Sequence, residues 1–72
     1  MTQLRGIGGR EAIKAFVKAG GTRREGKGHH VNVKMPNGQI ITIPGFKELK
    51  TGLLKAAIKK AGLTEEKFLK LL

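Results

Sequence analysis

The spacing of apolar residues along the chain is helical in some segments and alternating in others. Over residues 10–19 the apolar side chains fall on one helical face, and a pair of glycines follows as a stop signal. Over residues 29–35 valines and a methionine alternate strictly with polar residues, as in a strand with one buried face. The pattern therefore predicts a first helix over 10–19 and a strand over 29–35. The predicted buried face of the helix consists of Ala12, Ile13, Phe16 and Val17.

Four further elements follow from the same patterns. They are a weak polar strand over Thr22–Glu25, a strand over Gln39–Ile43, a helix over Thr51–Ala61, and a short helix over Glu65–Leu71 capped by Thr64. The order predicts an α+β domain in which helices cover one face of a three-stranded antiparallel sheet. The predicted buried residues of the last two helices are Leu53, Leu54, Ala57, Ile58, Ala61, Phe68, Leu69 and Leu72. Residues 1–9 are rich in glycine and are predicted to be a flexible lead-in to a single domain over residues 10–72.

The turn between the second and third strands determines which side chains share a face. A two-residue loop would place charged and apolar side chains on the same face, whereas a three-residue loop with Gly38 left-handed pairs Val33 with Ile41. The three-residue loop gives the cleaner buried face, so we predict it. The residues that it places on the face away from the core are His30, Asn32, Lys34 and Thr42.

Charge is the strongest compositional signal. Fifteen Lys and Arg oppose five Asp and Glu, which gives a formal net charge of +10 on 72 residues. Such an excess favours a nucleic acid partner, although a merely solvated basic surface is the alternative. The chain has no cysteine, which excludes a disulfide framework, a thiolate metal site and a cysteine nucleophile. No apolar run approaches the length of a membrane span, so we expect no membrane partner and a cytoplasmic location.

The stretch from Gly26 to His30 is the most unusual part of the sequence. Its glycines and Lys27 predict an adaptable basic loop, whose backbone at Gly28 can approach a phosphate closely. A neutral imidazole on the open side of a strand can take a proton from a ribose hydroxyl or give one to a leaving oxygen, so His30 is the candidate catalyst. A surface histidine without a function is the alternative. The candidate RNA-binding residues are Arg24, Lys27, Gly28, Asn32 and Lys34.

The neighbouring His29 is predicted to point towards the other face or to lie in the turn before the strand. A packing or hydrogen-bonding role is therefore favoured over a second catalytic role. The two adjacent histidines do not form a convincing metal site, because neighbouring side chains on a strand diverge and no acidic cluster lies nearby in sequence. We therefore predict no metal and no cofactor. Phe46, after Pro44-Gly45, is the one aromatic residue predicted to be exposed.

Several of these segments together closely resemble the HicA (YcfA-like) toxin family. The resemblance rests on Gly26-Lys-Gly-His-His-Val-Asn-Val-Lys-Met-Pro-Asn-Gly38, Thr42-Ile-Pro44, Lys47-Glu-Leu-Lys-x-Gly-x-Leu54 and Ala61-Gly-Leu-Thr64, and it covers about residues 10–72. It implies a fold like the double-stranded-RNA-binding domain and an mRNA interferase that cleaves RNA without a metal, using one histidine in a Gly-Ser-His motif. It also implies a partner antitoxin, HicB, that covers the active site.

The family motif aligns with Gly28-His29-His30 when residues are counted back from Pro36. The alignment places the family's catalytic histidine on His30 and its serine on His29. The resemblance therefore implies that His30 is catalytic, and the departure from the motif makes His29 a possible modulator of activity.

Three functions are compatible with these observations. The first is an endoribonuclease toxin in which His30 assists attack of a ribose 2′-hydroxyl on its own phosphate. The second is a non-catalytic RNA-binding module that uses the same basic sheet face. The third is a regulatory DNA-binding protein, which ranks last because no helix combines the Arg, Asn or Gln side chains that read the major groove.

Overall fold

The computed structural model describes residues 4–45 and 47–72 of the chain. Its elements are α1 (Gly9–Lys18), β1 (Thr22–Glu25), β2 (His30–Lys34), β3 (Ile40–Pro44), α2 (Thr51–Lys60) and α3 (Glu65–Leu71). The predicted α+β order is confirmed, and it is consistent with a fold like that of the double-stranded-RNA-binding domain. Phe46, which was predicted to be exposed, and residues 1–3 of the predicted lead-in lie outside the described residues.

The three strands form an antiparallel sheet in the order β1-β2-β3. The predicted three-residue turn is confirmed, because the amide of Met35 donates to the carbonyl of Gln39 at 2.8 Å and Val33 is paired with Ile41. Gly38 has a φ of 87°, which a residue with a side chain rarely adopts. This turn fixes the register, so the valines and isoleucines at alternate positions of β2 and β3 point into the core.

The helices contribute most of the remaining core, with two large side chains at its centre. Phe16 of α1 and Phe68 of α3 are fully buried, and their ring centroids lie 5.0 Å apart. The hydroxyl of Thr64 accepts a hydrogen bond from the amide of Lys67 at 3.1 Å, which confirms the predicted cap of α3.

Three residues predicted to be buried are 40–46% exposed: Val17, Leu53 and Leu72. In α1 the buried stripe is centred on Ala12 and Phe16 and includes Ala15, so Val17 is rotated past its edge. Leu53 is at the corresponding edge of the stripe of α2, and Leu72 follows the last residue of α3. The apolar faces of the helices were therefore predicted correctly, but each predicted buried face was wider than the observed one.

The prediction of a flexible lead-in is wrong for residues 4–9, which pack as part of the domain. Leu4 and Ile7 are buried in the hydrophobic core. The carbonyl of Ile7 accepts a hydrogen bond from the amide of Leu49 at 2.8 Å, and Gly8 forms an antiparallel bridge with Glu48. The glycine content of residues 1–9 suggested flexibility, and the local sequence could not predict this pairing because the partner segment lies about 40 residues away.

Replacing Gly9 with alanine is expected to destabilise the fold by about 1–3 kcal/mol, because the added Cβ would overlap the carbonyl oxygen of Pro44. Gly52 in α2 is the matched control, since a Cβ there meets nothing within 4 Å. Its replacement by alanine should raise stability by up to about 1 kcal/mol, because glycine is a poor helix former. Thermal melts measure both effects, and equal melting temperatures for the two variants would contradict the close approach at Gly9.

Candidate active site

One face of the sheet is turned away from the helices and the core; we call it the open face. In β2 the burial alternates, so the side chains of His30, Asn32 and Lys34 point to this face while the valines between them are buried. Arg24 is paired with Asn32 across the β1–β2 ladder and therefore shares the face. The full set of strand positions on the open face is Thr22, Arg24, His30, Asn32, Lys34, Ile40, Thr42 and Pro44.

His30 is exposed at the first position of β2, where the chain leaves a tight turn. The amide of His30 donates to the carbonyl of Lys27 at 3.2 Å, and its carbonyl accepts from the amide of Gly26 at 3.1 Å. Gly28 lies at the first central position of this turn with a φ of 63°, where glycine is favoured. The turn therefore holds the backbone of His30 from both sides and presents exposed Lys27 beside it.

Asn32 is oriented by a neighbour on β3. The hydroxyl of Thr42 donates to Oδ1 of Asn32 at 2.7 Å, and the two residues are directly paired in the ladder. Within the described residues, Nδ2 of Asn32 has no hydrogen-bond partner. Because Nδ2 is a donor, it can bind a phosphate oxygen or an acceptor atom of a base.

His29 lies in the turn before β2 and is exposed, as one of the two predicted placements required. Its carbonyl accepts a hydrogen bond from the amide of Gly45 at 2.8 Å, which ties the turn to the end of β3. The backbone of His29 thus has a structural role that does not depend on the identity of its side chain.

A cleft lies between α1 and the β1–β2 hairpin, and the sequence patterns did not identify it. It is lined by Arg10, Glu11, Ile13, Lys14, Arg23, Glu25, Gly28, His29, His30, Val31 and Gly45. Arg10 and Lys14 are four residues apart in α1, which places them on one side of the helix. Arg23 is paired with Val33, whose side chain is buried against the helices. Helical spacing and strand parity indicate the side of its element on which each of Arg10, Lys14 and Arg23 lies. Only the packing of α1 on the sheet brings these three cations together.

The part of the chain that the structure describes contains neither a metal-ligating cluster nor a membrane-spanning helix. Over residues 4–45 and 47–72, no three His, Cys, Asp or Glu residues are grouped so that they could hold a metal ion. Over the same residues, no helix has the length and apolar character needed to cross a membrane.

Comparison with protein families identifies a match to the HicA toxin of bacterial toxin–antitoxin systems over residues 9–63. The match begins at the first residue of α1 and includes the whole sheet with His30. Comparison with curated proteins gives no match. Because the family match covers well over half of the chain, the protein belongs to the HicA family of bacterial toxins, and this membership implies an antitoxin partner.

Proposed function

We propose that this toxin is an endoribonuclease that cleaves mRNA, with His30 as its catalytic residue. The observation that carries the proposal is the position of His30: it is exposed on the open face, on a tightly bonded turn, next to Asn32 and among cationic side chains. An imidazole in such a place can reach a bound ribose and phosphate without displacing any part of the core.

The proposed reaction is an internal transfer at phosphorus. The ribose 2′-oxygen attacks the adjacent phosphorus as its proton passes to a base, and the bond from phosphorus to the 5′-oxygen breaks. That oxygen takes up a proton, so the products are a 2′,3′-cyclic phosphate and a 5′-hydroxyl. His30 acts at Nδ1 or Nε2 as the base or the acid, water completes the other transfer, and no metal ion takes part.

The remaining predicted residues are proposed to bind the RNA around His30. Lys27, Lys34 and Arg24 supply positive charge that favours the phosphate and its developing negative charge. At Gly28 the space around the Cα atom is open, so a phosphate can approach the backbone of the turn. Nδ2 of Asn32 supplies a directional donor on the same face.

The antitoxin is proposed to be a HicB-like protein that covers this face, and the site of action is proposed to be the cytoplasm. Covering the open face would block RNA at His30 and would neutralise part of the excess positive charge of the toxin. A toxin of this charge is self-repelling, so an acidic partner surface would also stabilise it.

Incubation of the purified protein with a defined single-stranded RNA in the presence of a chelator tests the proposal. We expect fragments with 2′,3′-cyclic phosphate and 5′-hydroxyl ends. Salt-sensitive binding without fragments after long incubation would indicate a non-catalytic RNA-binding module, and preference for duplex DNA would indicate a DNA-binding protein. Cleavage that appears only when a divalent metal ion is added would contradict the proposed histidine step.

A further inference from the structure

The cleft between α1 and the β1–β2 hairpin carries three exposed cations that the proposed reaction does not use. Arg10 and Lys14 reach it from α1, and Arg23 reaches it from β1 on the helix side of the sheet. We call these three residues and the lining around them the cationic cleft. It lies on the opposite side of the sheet from Arg24 and Lys34, so it is a separate concentration of charge.

Two carboxylates, Glu11 and Glu25, also line the cationic cleft and leave its lining with a net charge of +1, but neither is paired with one of the three cations. Among residues 4–45 and 47–72, the one ion pair within 4 Å between a lysine or arginine and a carboxylate joins Lys70 to Glu66 in α3. Glu11 instead accepts a long hydrogen bond from the amide of Gly8 at 3.4 Å. The three cations of the cleft are therefore available to an anionic ligand.

The cationic cleft is continuous with the proposed catalytic position. Gly28, His29 and His30 belong to its lining, and the same turn presents the His30 side chain to the open face. A polyanion bound at His30 can thus pass around the turn and enter the cleft. A flexible single strand of RNA has phosphates at regular intervals and can follow such a bend.

We infer that the cationic cleft binds the RNA strand beside the cleavage position, with Arg10, Lys14 and Arg23 contacting its phosphates. The identity of the ligand as RNA rests on the proposed function. Continuity with His30 favours the same RNA strand, because a strand held at His30 has further phosphates within reach of the cleft. The cleft supplies affinity and orientation rather than acid–base chemistry, so its three cations are binding residues.

The test combines Arg10→Gln, Lys14→Gln and Arg23→Gln in a His30→Ala background, so that binding is measured without cleavage. The probe is a single-stranded RNA of about 12 nucleotides, within the usual site sizes for such ligands. We expect binding at least roughly tenfold weaker at moderate salt. The slope of log affinity against log salt should fall by about 2, since each phosphate contact on a single strand contributes about 0.7.

A matched control removes the same charge elsewhere, by Lys18→Gln, Lys59→Gln and Lys67→Gln, all at exposed positions outside the cleft. The control should retain most of the affinity and most of the salt slope, and circular dichroism should show both triple variants folded. An equal loss of RNA affinity in the two triple variants would overturn the inference, because the loss would then depend on net charge and not on the position of the charges. Unchanged RNA binding with loss of antitoxin binding would overturn it in favour of a protein interface.

A second measurement uses the active protein with His30 retained. The cleft variant should show a higher KM for long RNA than the parent and a smaller change in kcat, because its three substituted residues bind RNA and take no part in the proton transfers. If the parent cleaves no RNA, the proposed function fails, but the binding experiment on the inactive variants still decides whether the cleft binds RNA.

Discussion

Replacing His30 with alanine is expected to lower the rate of RNA cleavage by about 10²–10⁴-fold, the usual contribution of a general acid or base. The fold should be unchanged, because the side chain is exposed and the turn is held by backbone hydrogen bonds. RNA binding should be largely retained, since the cations around the site remain. Cleavage rates with a defined RNA, and growth after induced expression, measure the effect.

Lys59→Ala is the control for this substitution, because Lys59 is exposed on α2 and belongs to neither proposed RNA-binding surface. It should cleave RNA and arrest growth as the parent does. His29→Ser, which restores the residue of the family motif, should change the rate by less than His30→Ala does. Growth arrest and cleavage by His30→Ala at the parent level would contradict the catalytic role.

Replacing Phe68 with alanine is expected to destabilise the domain by about 3–5 kcal/mol, the usual cost of removing a fully buried phenylalanine. The loss includes the contact with the ring of Phe16, whose centroid lies 5.0 Å away. Domains of this size have little stability to spare, so the variant should be substantially unfolded near physiological temperature. Urea denaturation followed by circular dichroism measures the change.

Leu72→Ala is the control at the same end of the chain, since Leu72 is 46% exposed. It should change the free energy of unfolding by less than about 0.5 kcal/mol. A Phe68→Ala variant as stable as Leu72→Ala would show that α3 does not complete the core. The family match ends at residue 63, whereas α3 begins at Glu65. The two variants therefore test whether a helix outside the matched residues completes the core.

Strand parity predicted much of the candidate site. The alternation in β2, together with the left-handed glycine at position 38, determined the register and placed His30 with Asn32 on the open face. Strand position favoured His30 over His29 as the catalyst and the family motif selected it, whereas exposure does not separate the two, since both histidines are exposed. Chemistry alone did not separate them.

The sequence by itself determined the periods of its helices and strands, the turn register and the side of the sheet on which His30 lies, because these depend on neighbours a few residues apart. Only the tertiary structure placed Leu4 and Ile7 in the core and united Arg10, Lys14 and Arg23 in one cleft. Such contacts join segments that are distant along the chain, and local spacing carries no information about which distant surfaces meet.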